Sequence, residues 1–255
     1  MSDHYIEFQH VSISFDDHAV LKDVSFHIDR GETGVIMGRS GVGKSVSLKL
    51  LMGFLAADEG RILVEGQDVT HWTEKQFEEL RRRVTMVFQS GALFDSLTVA
   101  ENVAFPMVSR GIQQDPDEIE RRVEGLLEML EVAQFKDRLP ADLSTGTKRA
   151  VAIARALAED PDVVFYDEPT TMVDPLMAAH VSDLIVKLKQ TLHKTSIVVT
   201  HDTHLGRKLA DRVIFLHEGH VGFFGSWSAL EASNDPFLRN FLLQDELVPA
   251  LDSTL

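Results

Sequence analysis

The chain has 255 residues, 44% of them hydrophobic and 25% charged, and a formal net charge of −15. That balance fits one globular domain, or one domain carrying a smaller inserted one, with enough apolar residues for a real core. No apolar run approaches the roughly 18 residues of a membrane-spanning helix, and the N-terminus (MSDHYIEFQHV) lacks a basic-then-apolar leader, so neither a span nor a secretory signal is expected. With no cysteine, disulfides and thiolate metal sites are excluded. The tight basic cluster Arg81-Arg82-Arg83 follows EKQFEEL and reads as the solvated face of a helix, not as a nucleic-acid surface.

In chain order, the alternation at Ile6, Phe8, Val11, Ile13 and Phe15, followed by VLKDVSFHI (20–28), predicts antiparallel strands. ETGVIMG (32–38) reads as a buried strand entering a glycine loop. RILVEGQDV (61–69) predicts a hairpin turning at Glu65-Gly66, and VTMVFQ (84–89) another strand. From about 96 to 160 the pattern turns helical: TVAENVAFPMVSR, PDEIERRVEGLLEMLEV and STGTKRAVAIARALAED. DVVFYDE (162–168) and SIVVTHD (196–202) are strands again, separated by a helix from about 175 to 193. RVIFLHEGHVGFFG (212–225) closes as a hairpin at Glu218-Gly219. After about 232 the chain predicts a turn, a short apolar helix and a frayed end. The expected fold class is α/β: a core with a parallel sheet, entered by that glycine loop (residues 38–45, GRSGVGKS, the pattern of a P-loop core), an N-terminal antiparallel β subdomain and an α-helical subdomain inserted at about 96–160. The expected domain covers 1–232, followed by a tail, 233–255, whose apolar face in PFLRNFLL would pack on its own domain or dock on a neighbouring subunit at a dimer interface.

Residues 38–45 read GRSGVGKS, a complete phosphate-loop pattern with a strand before it and a helix after it. Gly38, Arg39, Ser40, Gly41, Val42 and Gly43 wrap tightly enough for backbone N–H groups to converge on a phosphate. The helix that begins there adds its N-terminal positive end, beside Lys44, Ser45 and Val46. Lys44 supplies an ammonium for the β- and γ-phosphates, and the Ser45 hydroxyl suits Mg²⁺. ATP and Mg²⁺ are the expected ligands.

Asp167 and Glu168 end the apolar strand DVVFY, where alternation would aim them to opposite faces. Asp167 suits magnesium and Glu168 suits proton abstraction from water, although Pro169 also fits a plain turn. His201 follows the next strand and reads as a donor to the γ-phosphate, against the ordinary alternative of a structural or surface histidine. The other ten histidines read as surface residues.

LSTGTKRAVAIARAL (143–157), upstream of the acid-ended strand, resembles the signature helix of the ATP-binding cassette (ABC) family, whose pattern there is Leu-Ser-Gly-Gly-Gln. Ser144 is an N-cap residue, and Thr145 and Gly146 open the helix, a start suited to anions. The resemblance spans about residues 5–230. It implies a head-to-tail homodimer in which Ser144, Thr145 and Gly146 of one copy cap the γ-phosphate held by the P-loop of the other. It also assigns Phe15 to stacking on adenine, Gln89 to Mg²⁺ and the attacking water, and Asp174 to signalling across the dimer. Thr145 and Thr147 depart from the pattern, which puts the hydrolysis rate in question. FQSGALFDSLTVAENVAFP (88–106) and GSWSALEASNDPFLRNFL (225–242) are similar to the ATPases of bacterial phospholipid transport systems of the Mla and Mce type.

That resemblance implies a phospholipid transporter ATPase at the cytoplasmic face of the inner membrane. Its partners would be permease subunits docking near Gln89–Leu97 and an Mce-type lipid-binding component, with no nucleic acid. The alternatives are the ATPase of another importer, for amino acids or metabolites, or a regulatory cassette ATPase of a membrane machine. The apolar residues Phe88, Leu93, Phe94 and Leu97 would receive a permease helix or belong to the subdomain core.

Overall fold

The computed structural model describes residues 4–109 and 115–246. The chain forms two compact units, Met1–Trp72 with Ile197–Leu255, and Thr73–Ser196.

The first unit opens with β1 (His4–Phe15), β2 (His18–Asp29), β3 (Thr33–Met37), α1 (Lys44–Leu51), β4 (Glu59–Val64) and β5 (Gln67–Asp68). β1 pairs antiparallel with β2 on one side and β4 on the other, giving the order β2-β1-β4-β5. Its apolar alternation slips by one residue between Phe8 and Val11, where His10 takes φ 55° and the register shifts. This bulge keeps both halves of the strand facing one core. Phe8 and Phe26 stack there at 4.5 Å.

The second unit contains α2 (Glu74–Arg83), β6 (Val84–Val87), α3 (Val99–Ser109), α4 (Pro116–Met129), α5 (Thr145–Leu157), β7 (Val163–Asp167) and α6 (Pro175–Leu192). β6 and β7 run parallel. Val163, Val164, Phe165 and Tyr166 are all buried, the unbroken apolar run of a strand covered on both faces. α2 carries Arg81, Arg82 and Arg83 in its last turn, with Phe77 and Leu80 buried beneath, so the basic cluster is the polar side of an amphipathic helix.

β8 (Thr195–Val199) leads back to the first unit, which closes with α7 (Thr203–Leu209), β9 (Arg212–His217), β10 (His220–Gly225), α8 (Trp227–Glu231) and α9 (Pro236–Glu246). Here β3 lies beside β8 and pairs parallel with β9, and β10 is the antiparallel edge strand. The turns at Glu65-Gly66 and Glu218-Gly219 both have two positive φ values (51° and 75°; 49° and 86°), the mirror-image turn that matches strand twist. Asp16-Asp17 (45° and 63°) makes the same turn between β1 and β2 without glycine. The tail helix packs on its own unit: Phe237 and Phe241 meet Phe215 edge-on, and Phe237 covers His217 at 3.8 Å. Residues 247–255 of the expected tail lie outside the described residues.

Candidate functional site

In the first unit, β3 delivers the chain to Gly38, after which the loop climbs to α1. Three left-handed glycines shape it: Gly38 (φ 143°), Gly41 (φ 80°) and Gly43 (φ 108°). A Cβ on Gly38 would stand 2.4 Å from the Leu216 carbonyl oxygen, so only glycine passes β9 at that point. Lys44 is buried, and its ammonium donates to the carbonyls of Gly38 (2.9 Å) and Arg39 (3.2 Å). The cation is therefore folded back over its own loop. α1 begins at Gly43 with no side-chain cap, whereas α4 to α8 are each capped by an Asp or Ser side chain. A helix start without a side-chain acceptor, preceded by a glycine coil and opening on a lysine, suits a polyphosphate. Arg39, Ser40 and Gly41 are exposed on this loop, Val42, Ser45 and Val46 half-buried.

Phe15 ends β1, pairs with His18 and is 41% exposed, as a stacking residue requires and a core residue would not be. β8 ends at Val199, so His201 lies one residue further along than the strand reading implied. It is exposed, just ahead of α7, which Asp202 caps through the Leu205 N–H at 2.9 Å. The histidines are not uniformly surface residues, as the sequence had suggested. His4 and His27 are half-buried and stack at 3.8 Å, and the His4 ring bonds Asp29 at 2.6 Å. Burial, then the charge of His4, hold His27 below its ordinary value. Register explains the meeting, since His4 faces Asp29 across the ladder and His27 lies two residues away on the same side.

In the second unit, strand alternation does not set the acid pair. β7 stops at Asp167, and Glu168 leaves it at φ 48°. A non-glycine residue held in that region is rare and clusters at functional sites. The Thr171 hydroxyl donates to Glu168 Oε2 (3.0 Å), and the Thr171 N–H closes the turn on the Glu168 carbonyl (3.2 Å). Gln89 is likewise not the end of a strand. β6 ends at Val87, and Gln89 sits exposed in the turn that follows.

The signature helix starts at an exposed pair, Ser144 and Thr145. The Ser144 Oγ accepts the Thr147 N–H at 3.1 Å and lies 2.8 Å from the Thr147 hydroxyl. Thr147 therefore occupies part of the Ser144 hydroxyl's bonding capacity. Gly146 is buried, and a Cβ there would stand 2.5 Å from the Met177 side chain in the first turn of α6. The Cβ of Thr145 is on the exposed side, so it does not crowd its own unit. Asp174 caps α6 through the Met177 N–H at 3.0 Å.

Sequence reasoning missed three residues that shape the Gln89 loop. Asn102, fully buried on α3, accepts from the Phe94 N–H and donates to the carbonyls of Phe94, Leu97 and Thr98. Arg155 donates to the carbonyls of Ala92 (2.8 Å) and Gly91 (3.1 Å), and its guanidinium lies over the Phe94 ring. Arg149 donates to the carbonyls of Phe88 and Thr171, both at 3.3 Å. A lone polar residue within an apolar helical run was the available signal for Arg155, in AVAIARAL; Asn102, beside Glu101 in VAENVAF, gave none. Phe88 and Phe94 remain 41% exposed, and Phe105, packed on Phe94, 39%.

A buried strand feeding a glycine turn into an uncapped helix that begins Lys-Ser defines a P-loop nucleotide-binding domain. Residues 21–171 match the family described as ABC transporter. The chain belongs to that family and is one of its cassette ATPases. It is similar to the probable ribonucleotide transport ATP-binding protein mkl of Mycobacterium leprae (33% identity over 237 residues, covering 93% of this chain and 68% of that protein). Among solved structures it resembles cbiO1 from Clostridium perfringens, part of the transporter complex cbiONQ. That match has a TM-score of 0.83 and 30% identity, over 98% of this chain and 99% of the other. It also resembles a dimeric ATP-binding cassette in a post-hydrolysis state bound to ADP and Pi (TM-score 0.77, 30% identity, over 87% of this chain and 98% of the other). The chain spans about two thirds of the length of the curated relatives it matches. No helix among the described residues is long and apolar enough to cross a membrane.

Proposed function

We propose that this chain is the ATP-hydrolysing subunit of a membrane transporter and works as a homodimer. The observation that carries the reading is a pair of helix starts of different chemistry. α1 has a phosphate loop and no side-chain cap, while α5 exposes Ser144 and Thr145, with Gly146 buried behind them and no loop of its own. One is complete for the tail of a triphosphate; the other makes chemical sense against a triphosphate held by a second copy. Lys44 leaves the loop carbonyls for the β- and γ-phosphates, and Phe15 offers its exposed ring to adenine. Glu168, held by Thr171, takes the proton of the attacking water, and His201 donates to the γ-phosphate. Ser45, Gln89 and Asp167 are the proposed magnesium ligands, and the ion, when bound, neutralises charge between the phosphates. Asp174 carries the state of one site toward the other copy.

The exposed rings of Phe88, Phe94 and Phe105 support a permease docking surface at Gln89–Leu97. A chain docked in this way would sit peripherally, at the cytoplasmic face of a membrane. Phospholipid as cargo, moved between inner and outer membranes with an Mce-type component, rests on the resemblance of residues 88–106 and 225–242. A second reading, import of a small solute, is favoured by the names of curated relatives, which refer to ribonucleotide, methionine and sulfate or thiosulfate. Two experiments test these statements. Glu168→Gln should abolish turnover and trap an ATP-bound dimer on size exclusion; wild-type turnover would remove Glu168 from its role. Pull-down from detergent-solubilised membranes should bring a multi-helix permease with bound phospholipid. A permease with a solute-binding protein and no enriched lipid would select the second reading.

A further inference from the structure

We infer that Arg149 is the positioning residue that sets Glu168 and Gln89 for the hydrolytic step, an assignment that rests on the proposed ATPase role of those two residues. Arg149 lies on α5, five residues beyond the Ser144 cap, and is only 3% exposed. Its two terminal nitrogens separate in a fixed fork and grip two different loops. One donates to the Phe88 carbonyl at 3.3 Å. That carbonyl belongs to the same planar peptide unit as the Gln89 N–H, so holding it orients the start of the Gln89 turn. The other donates to the Thr171 carbonyl at 3.3 Å. Thr171 is the residue whose hydroxyl holds the Glu168 carboxylate and whose N–H closes the Glu168 turn. One rigid group therefore ties together the turns that carry the proposed base and the proposed water-orienting glutamine.

The chemistry of the position argues against simple packing. No carboxylate accepts from Arg149 among the described residues; burial alone pulls the guanidinium below its ordinary value. Its Nε is buried with no partner among the described residues. A cation desolvated without a counter-charge is costly, and an apolar residue of similar length would fill the same space at less cost. What an apolar residue cannot supply is two divergent donors aimed at two loops. Lysine cannot supply them either, because it is a point charge with no fork. The glutamate turn needs such a hold, because Glu168 at φ 48° is not in a conformation it would keep unaided.

Arg149→Met and Arg149→Lys, made in the full-length chain, test this by two readouts. In amide hydrogen exchange without nucleotide, peptides spanning residues 88–92 and 168–173 should both exchange about 10- to 100-fold faster, with the rest of α5 unchanged. In steady-state kinetics kcat should fall about 10- to 100-fold, while affinity for a fluorescent ATP analogue stays within about twofold. Lysine should not rescue kcat. Unchanged exchange in either loop, rescue by lysine, or kcat and affinity falling together would overturn the assignment. If neither variant folds, Arg149→Gln, which keeps a planar donor but not the fork, carries the test: at least one of the two loops must exchange faster and kcat must fall, and wild-type exchange in both would overturn the assignment. Exchange does not depend on turnover. An inactive wild-type protein with faster loops in the variants would therefore sink the ATPase reading and leave the clamp standing.

Discussion

Adding one methyl group at Gly38, and separately at Gly41, isolates what the phosphate loop demands of its backbone. Both glycines have positive φ, 143° and 80°, so alanine at either is disfavoured by about 1 kcal/mol or somewhat more. Their surroundings differ. At Gly41 a Cβ meets nothing within 4 Å. At Gly38 it meets the Leu216 carbonyl oxygen at 2.4 Å and Val42 Cγ1 at 3.0 Å. A normal carbon–oxygen approach is about 3.3 Å, so the overlap is roughly 0.9 Å, and the obstacle is the backbone of β9. No rotamer relieves it; β3 and β9 must part where Met37 pairs with Phe215. Overpacking of that kind adds about 1–3 kcal/mol. Gly38→Ala should therefore cost about 3 kcal/mol and Gly41→Ala about 1 kcal/mol. The gap of about 2 kcal/mol corresponds to roughly 4–8 °C in Tm for a chain of this size. Urea denaturation followed by circular dichroism, with calorimetric Tm, measures both variants. Equal losses, or a Gly38→Ala loss near 1 kcal/mol, would refute the claim that β9 imposes this glycine.

Three further outcomes are expected. Ser144→Ala removes the cap of α5 and should lower stability by about 1 kcal/mol in urea denaturation, whereas Thr147→Val keeps the capped N–H and should lower it less. Thr145→Gly should change ATP turnover with stability nearly constant, because the side chain is exposed and faces away from its own unit; an unchanged rate means that Thr145 does not tune catalysis. For His27, burial and then the His4 charge depress its value from 6.5 in the folded chain, so the unfolded chain takes up the proton first as pH falls. This contribution to stability is complete above about pH 6.5 and is lost as pH drops through the lower folded value. Tm should therefore fall on acidification below that point and fall less steeply in His27→Gln; parallel slopes would remove His27 from the effect.

Much of the molecule could be read from local pattern, because its signals are short-range. GRSGVGKS holds its glycines, lysine and serine within eight residues, and Glu65-Gly66 and Glu218-Gly219 sit between alternating apolar runs. The slip in alternation between Phe8 and Val11 was visible in the sequence, although only the bulge at His10 explains it. Element ends were less legible. VTMVFQ and IVVTHD look like strands through Gln89 and His201, yet pairing ends at Val87 and Val199. α7 and α8, short helices opened by Asp202 and Ser226, carried too little periodicity to be seen.

The sequence alone determined that this chain has a nucleotide loop, an apolar strand running into two acids and a capped signature helix, since each is a chemical pattern confined to neighbouring residues. Tertiary structure decided how those patterns are held. Arg149 reaches Phe88 across 61 positions and Thr171 across 22, Met177 closes on Gly146, and α9 lays Phe237 and Phe241 on Phe215. Such contacts depend on where distant segments come to rest in space, a quantity that no window of adjacent residues contains.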